Sequence, residues 1–263
     1  MQDLTISLVQ AELAWEDKES NLCHFEELIS GINESTDLIV LPEMFNTGFT
    51  MDALKNAEEM DGMTLQWMAN VAHKKNVMLI GSMIMHEDDQ YFNRLVCIEP
   101  DGNYKYYDKK HLFRMGDEHK HYTAGNKRLV IRVKGWKIMP LVCYDLRFPV
   151  WSKNAYRDGK YEYDLLIYIA NWPTPRIQSW RQLIIARAIE NMAYAAGVNR
   201  IGHDGNDYEF NGQSLVATPE ANVAAQAEDN KEEILNVTLQ AGLLQKLRDK
   251  LGVGKDWDSF EIT

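Results

Sequence analysis

KIMPLVCYDLRFP, Lys137 to Pro149, opens with an apolar run, Ile138-Met139-Pro140-Leu141-Val142, of the length and bulk of a buried strand. The run stops at Cys143, with polar residues and Pro149 close behind, and Trp151 to Arg157 reads as the first turns of a helix. A thiol on the turn out of a buried strand is presented at the rim of a sheet. Backbone N–H groups at a helix start favour a thiolate and any oxyanion that develops beside it. Free cysteine is also among the residue types most often buried as plain core. On this stretch alone both readings stand.

Outside it, the chain is 263 residues long, room for one large α/β domain or two small ones. Its charge, 28 basic against 39 acidic residues and −11 in sum, argues against a nucleic-acid partner, which would want a basic face. Three cysteines, Cys23, Cys97 and Cys143, form no even framework, so reduced thiols in a cytoplasmic protein are expected. Asp3 and Glu12 flank a short apolar run at the start, unlike a signal peptide. The apolar runs fall far short of the roughly 20 residues a membrane helix needs, so no membrane is expected.

In order, Leu4, Ile6 and Leu8 alternate as in a strand, and Lys18 to Gly31 carries Leu22, Phe25, Leu28 and Ile29 at helical spacing. Asp37 to Leu41 is a buried strand ended by Pro42, with Glu43 immediately after. A second helix carries Leu65, Met68 and Val71, with Thr64 as its expected cap. Val77 to Met85 and Phe92 to Ile98 flank a polar turn, and Tyr104 to Tyr107 forms a further strand closed by Lys110. Leu129 to Val133 pairs with Ile138 to Val142 across Lys134-Gly135. Asp164 to Ala170 is a buried strand, Ile177 to Ala196 a long helix, and Val198 to Ile201, Ser214 to Ala217 and Ile234 to Leu239 late strands before a helix from Leu243 to Leu251. No linker or repeat interrupts this order, which predicts a single domain over residues 1–263 with mixed sheets between outer helices.

Glu43, Lys110 and Cys143 each fall at the C-terminal end of a predicted strand, the side on which α/β sheets gather their ligand loops. Singly, Glu43 reads as a solvated loop carboxylate and Lys110 as the second of a basic pair with Lys109. Together they make a nucleophile, a base and an electrostatic partner, sufficient for acyl transfer.

LPEMF (41–45), DKKHLF (108–113) and CYDLRFP (143–149) resemble, in order and spacing, the three signature motifs of the carbon–nitrogen hydrolase, or nitrilase, superfamily. The segments HLFRMGDEHKHYTAGN (111–126), IANWPTPR (169–176) and ARAIEN (186–191) are similar to those of its omega-amidase branch. The resemblance implies a four-layer α-β-β-α sandwich with two mixed sheets, usually dimerised beside the active site. Residues 252–263 are then a candidate dimer-contacting tail. It further implies a Glu43–Lys110–Cys143 triad. Glu43 takes the thiol proton, Cys143 attacks an amide carbonyl, and Lys110 with the Tyr144 backbone N–H holds the oxyanion. Glu118 matches an additional glutamate that positions the lysine and substrate. No cofactor or metal is implied. His111, His119 and His121 beside Glu118 offer zinc-ligand types, but no CxxC or HExxH pattern accompanies them, and a polar loop is the expectation.

The implied substrate is a small amide: the terminal amide of a short dicarboxylic monoamide such as 2-oxoglutaramate, 2-oxosuccinamate or succinamate. Its far carboxylate needs a cation, for which Arg147 is the candidate, unless Arg147 is a structural partner of Asp145. In that case the stretch around His119 and His121 or the loop after Trp172 is the place to search. Trp172 either walls the acyl pocket or packs in the core. The same triad also serves other amidases, N-carbamoyl hydrolases and nitrilases, and a non-catalytic binding module is the alternative outside enzymes.

Overall fold

The computed structural model describes residues 1–32, 35–259 and 261. In the first half the strands are β1 (Leu4–Gln10), β2 (Leu38–Val40), β3 (Met78–Glu87), β4 (Gln90–Ile98) and β5 (Tyr104–Asp108). Then come β6 (Ile131–Val133), β7 (Trp136–Val142), the small hairpin β8 (Tyr156–Arg157) and β9 (Lys160–Tyr161), and β10 (Leu165–Ala170). The last are β11 (Tyr194–Asn199), a second small hairpin β12 (Ile201–His203) and β13 (Glu209–Asn211), then β14 (Leu215–Ala217), β15 (Val223–Gln226) and β16 (Glu233–Leu239). The helices are α1 (Lys18–Ser30), α2 (Ala53–Asn56), α3 (Met63–Lys75), α4 (Glu118–His121), α5 (Pro149–Ser152), α6 (Ile177–Asn191) and α7 (Ala241–Leu251).

Two six-stranded mixed sheets result, in the orders β16-β1-β2-β3-β4-β5 and β15-β14-β11-β10-β7-β6. Side-chain alternation explains why they stack. Along β2, Leu38 and Val40 enter the core between the sheets, while Ile39 and Leu41 face the opposite way, toward Phe25 of α1 and Met68 of α3. The inter-sheet core brings Leu4, Ile6 and Leu8 against Ile138 and Leu165 to Ala170, and it extends to Trp180, Ile184 and Ala188 of α6 and Leu244 of α7. The layers are therefore helix, sheet, sheet, helix, the expected sandwich. Gly197 on β11 shows how tightly α6 sits. A Cβ there would lie 2.5 Å from the Trp180 ring, so a methyl group would displace the helix.

The apolar run before Cys143 forms β7, next to the edge strand β6 of its sheet. Its parallel pairing to β10 runs from Ile138 to Val142, whereas β6 pairs it only from Trp136 to Ile138. Pro140 lies beyond the reach of β6, where its missing donor is tolerated.

Three local expectations are corrected. Trp151 to Arg157 does not continue as a helix: a 3-10 turn, Cys143–Arg147, is followed by the single turn α5 and then the β8–β9 hairpin. The long helix ends at Asn191, because Met192 takes a left-handed φ of 49°, and Tyr194 to Asn199 is drawn into the sheet between β10 and β14. Sheet pairing there overrides helix propensity. Thr64 does not cap α3; Gly62 stands at the cap, and the Glu58 carboxylate accepts the Thr64 N–H at 2.8 Å. The beginning of the tail folds onto its own chain, with the Trp257 ring edge-on to Tyr161 at 5.5 Å and under the Lys153 ammonium at 3.5 Å. Residues 260, 262 and 263 of the expected dimer-contacting tail lie outside the described residues.

Candidate active site

Four chain segments meet where the C-terminal ends of β2, β5, β7 and β10 come together across the two sheets. After β2 the chain keeps step with β3 through Leu41 N–H to Ile80 O at 2.8 Å, and the Met44 N–H is held by Ser82 Oγ at 2.8 Å. This sets Glu43, fully buried, at the inner end of a cavity of about 390 Å3.

Cys143 follows β7 with a left-handed φ of 44°, a conformation that for a non-glycine residue costs roughly 1–3 kcal/mol. Asp145 holds the turn in place. Its carboxylate accepts hydrogen bonds from the Val142 N–H at 3.1 Å, the Tyr107 hydroxyl at 2.7 Å and the His111 N–H at 3.0 Å, with the His111 ring nitrogen also at 2.7 Å. The turn carrying the thiol is thus latched to the segment that follows β5. His111, stacked on Phe148 with centroids 3.7 Å apart, is part of this latch.

The lysine at the site is Lys109, and the expected Lys110 is corrected on this point. Tyr107 and Lys109 share the inward face of β5 and its extension, while Tyr106 and Lys110 point the other way. Lys109 is wholly buried, with Nζ 2.9 Å from Glu43 Oε1 and 2.9–3.0 Å from both oxygens of Glu118. Lys110 is half-buried, its ammonium 5.3 Å from the Trp151 ring. A loop presses on the Lys109 strand from outside: Gly125 N–H donates to Lys109 O at 2.9 Å, and a Cβ on Gly125 would collide with Asp108 O. The strand-parity rule distinguishes the two lysines and would have found the right one.

Glu118 stands at the start of α4 and is fully buried. Two asparagines that were not anticipated complete the charge network. Asn93 donates to Glu43 at 2.8 Å and to Glu118 at 3.2 Å. Asn171, at the end of β10, donates its backbone N–H to Glu43 Oε2 at 2.9 Å, and its carbonyl lies 3.9 Å from Cys143 Sγ. Their signal was position only, at the ends of predicted strands.

Burial acts on the thiol, the lysine and Glu118 in different ways. It pushes the Cys143 thiol well up, and the charge of Glu43 adds to that, while Lys109 pulls it back down. Burial alone would push Lys109 down, but the carboxylates of Glu118 and Glu43 outweigh it and hold the ammonium charged. Glu118 is pushed up by burial, against the downward pull of Lys109. These directions favour a neutral thiol beside a charged lysine.

Above the thiol the cavity is walled by Tyr144, Arg147, Trp172 and Arg176. Tyr144 packs edge-on to Phe113 at 5.2 Å and Phe148 at 5.1 Å. Trp172 both lines the cavity and belongs to the core, its ring 5.5 Å from Trp180. Arg147 does not pair with Asp145, whose oxygens are taken by the latch; it donates to Ser179 Oγ at 3.1 Å and lies 4.9 Å from the Trp172 ring. His119 and His121 sit on the single turn α4 rather than on an extended loop, and His121 lines the cavity. Among the described residues, no helix is long and apolar enough to cross a membrane.

The sandwich thus joins a thiol, a carboxylate and a buried lysine across its two sheets. The model of the carbon-nitrogen hydrolase family matches residues 5–249, and the chain belongs to that family. More particularly, it is 43% identical to omega-amidase YafV of Escherichia coli over 262 residues, the whole length of both chains. It is 31% identical to the 2-oxoglutaramate amidase of Bacillus subtilis, over 96% of each. In structure it matches XC1258 of Xanthomonas campestris, a CN-hydrolase superfamily protein with an arsenic adduct in its active site, at a TM-score of 0.98 and 40% identity over the full length of both.

Proposed function

We propose that this protein hydrolyses the terminal amide of short dicarboxylic monoamides, 2-oxoglutaramate, 2-oxosuccinamate and succinamate, through a thioester on Cys143. The observation that carries the reading is one cavity holding Cys143 and Glu43 at its inner end and two arginines on its wall. The likeness to relatives named omega-amidase and 2-oxoglutaramate amidase supports it.

The chemistry follows from the geometry. Glu43 takes the proton of the Cys143 thiol as sulfur attacks the amide carbon, so the energetic demand of forming a buried thiolate falls only at the moment of attack. The carbonyl oxygen gains the negative charge, and the Lys109 ammonium with the Tyr144 N–H stabilises it. In a dry site such a donor is worth roughly 2.7–4 kcal/mol of barrier. Collapse of the intermediate breaks the C–N bond, and Glu43 returns its proton to the leaving ammonia. Glu43 then takes a proton from water, hydroxide adds to the thioester, and the acid leaves as the thiol is restored. Glu118 and Asn93 keep Lys109 and Glu43 in register. Arg147 contacts the substrate's far carboxylate, and Trp172 bounds the acyl chain.

Three unpaired cysteines fit a reducing, cytoplasmic setting. A homodimer formed beside the active site is the assembly the family resemblance implies, and light scattering tests it. The function itself is tested by ammonia release from succinamate and by acyl trapping. Cys143→Ala should abolish turnover while remaining folded, and mass spectrometry of the unaltered enzyme should find the acyl group on Cys143. Ammonia release that survives in Cys143→Ala overturns the reading.

A further inference from the structure

The two arginines on the cavity wall are not equivalent. Arg147 is exposed, donates to Ser179 Oγ at 3.1 Å and rests over Trp172. Arg176 is half-buried on the turn between β10 and α6, with its guanidinium 5.3 Å from the Phe113 ring. Among the described residues that guanidinium has no hydrogen-bond or carboxylate partner. The carboxylates sharing the cavity are committed elsewhere. Glu43 holds Lys109, Asp117 holds Lys120 at 3.0 Å, and Asp204 accepts the N–H groups of Asn206 and Tyr208 at 2.8 and 3.0 Å.

A partly desolvated cation without a counter-ion is costly, and the cost is offset when an anion arrives. The guanidinium fork is suited to two carboxylate oxygens at once, and the aromatic face beneath fixes its plane. We propose that Arg176 is the main reader of the substrate's far carboxylate, with Arg147 an outer, second contact; this rests on the omega-amidase reading above. Burial pushes the Arg176 guanidinium down, and the neighbouring positive charge of Arg147 pushes it the same way, against smaller opposing contributions from Cys143 and Tyr208. An incoming carboxylate relieves both.

The turn itself does not depend on the side chain. The carbonyl of Arg176, not its guanidinium, accepts the Trp172 Nε1–H at 2.9 Å and the Ser179 hydroxyl at 2.7 Å. Arg176→Met therefore keeps the hydrogen bonds that shape the wall, and thermal melting checks that it does.

The experiment compares kcat/KM for succinamate and for butyramide, a neutral amide of similar length, in the unaltered enzyme, Arg176→Met, Arg147→Met and Arg176→Lys. The preference for succinamate should fall about 30-fold or more in Arg176→Met, chiefly through KM, and by a smaller factor in Arg147→Met. Arg176→Lys should recover part of it, since charge returns without the fork. Succinate should inhibit butyramide hydrolysis, and Arg176→Met should weaken that inhibition in proportion. An equal loss on both amides, or a larger loss of preference in Arg147→Met, overturns the assignment. An unaltered enzyme that hydrolyses neither amide would instead reject the omega-amidase reading, so the two failures are distinguishable.

Discussion

The inner end of the cavity and its wall handle charge in opposite ways. At the inner end, Glu43, Lys109 and Glu118 are fully buried, and each is bonded to another of the three, with Asn93 bridging the carboxylates. On the wall, Arg147 and Arg176 carry charge with no carboxylate beside them among the described residues. A saturated network is already arranged before substrate arrives, so nothing need reorganise when the oxyanion forms. An unsaturated pair leaves its best interaction to be made with the ligand. On the proposed function, the contrast separates groups that act on the reacting bond from groups that select which amide reaches it.

Removing the buried cation should have the largest effect. Lys109→Met should lower kcat by about 10²–10³ through loss of an oxyanion donor. It should also cost roughly 3–5 kcal/mol of stability by leaving buried carboxylates uncompensated. Lys110→Met should cost under about 1 kcal/mol on either measure, as a partly solvated cation does. Lys109→Arg should not rescue, because a planar fork cannot replace a compact ammonium held among three carboxylate oxygens. Steady-state kinetics and thermal melting on the three variants decide it; if Lys110→Met were the damaged one, the inner network would be misassigned.

Glu118→Gln tests whether saturation itself matters. It keeps the shape but weakens a charge-assisted hydrogen bond worth about 1.5–3 kcal/mol, so kcat should fall roughly 10- to 100-fold with KM little moved. A change confined to KM would make Glu118 a substrate contact and blur the line between the two regions.

The last test concerns pH, and it leaves the sequence of the enzyme unaltered. Because burial and Glu43 push the Cys143 thiol up, iodoacetamide should alkylate it faster by up to about tenfold per pH unit from pH 7 to 9, following the thiolate fraction. Peptide mapping separates this from the exposed Cys23. A plateau below pH 8 would reveal a preformed thiolate–lysine pair and a different resting state.

Much of this was legible in the chain. Glu43 and Cys143 announce themselves because each stands where an apolar strand run breaks, and the layered fold follows from runs such as Leu38 to Leu41 that are apolar on both faces. Lys109 was missed for its neighbour because motif spacing is read at one-residue resolution, whereas facing is decided by parity along β5. The loop after Trp172 was a place to search for a carboxylate reader, but Arg176 within it was not singled out, for a different reason. Whether an arginine has a counter-ion depends on residues far away in sequence, here Asp117 and Asp204, and no local pattern records their other commitments. The overrun of α6 shows the same limit: AYAAG has helix-forming alanines, and only the gap between β10 and β14 turns it into a strand.

The Asp145 latch has a consequence for how the molecule comes to life. Glu43 and Lys109 belong to one sheet, Cys143 and Asn171 to the other, and Asp145 fastens the second to the first through Tyr107 and His111. The first sheet is itself finished only when β16 docks on β1, joining residues from opposite ends of the chain. Such distant pairings form late, because loop closure must precede them. Activity during refolding should therefore lag behind the recovery of secondary structure, and an enzyme with Asp145→Asn should lengthen that lag. The catalytic site is, in this sense, a clock for the final meeting of the two sheets.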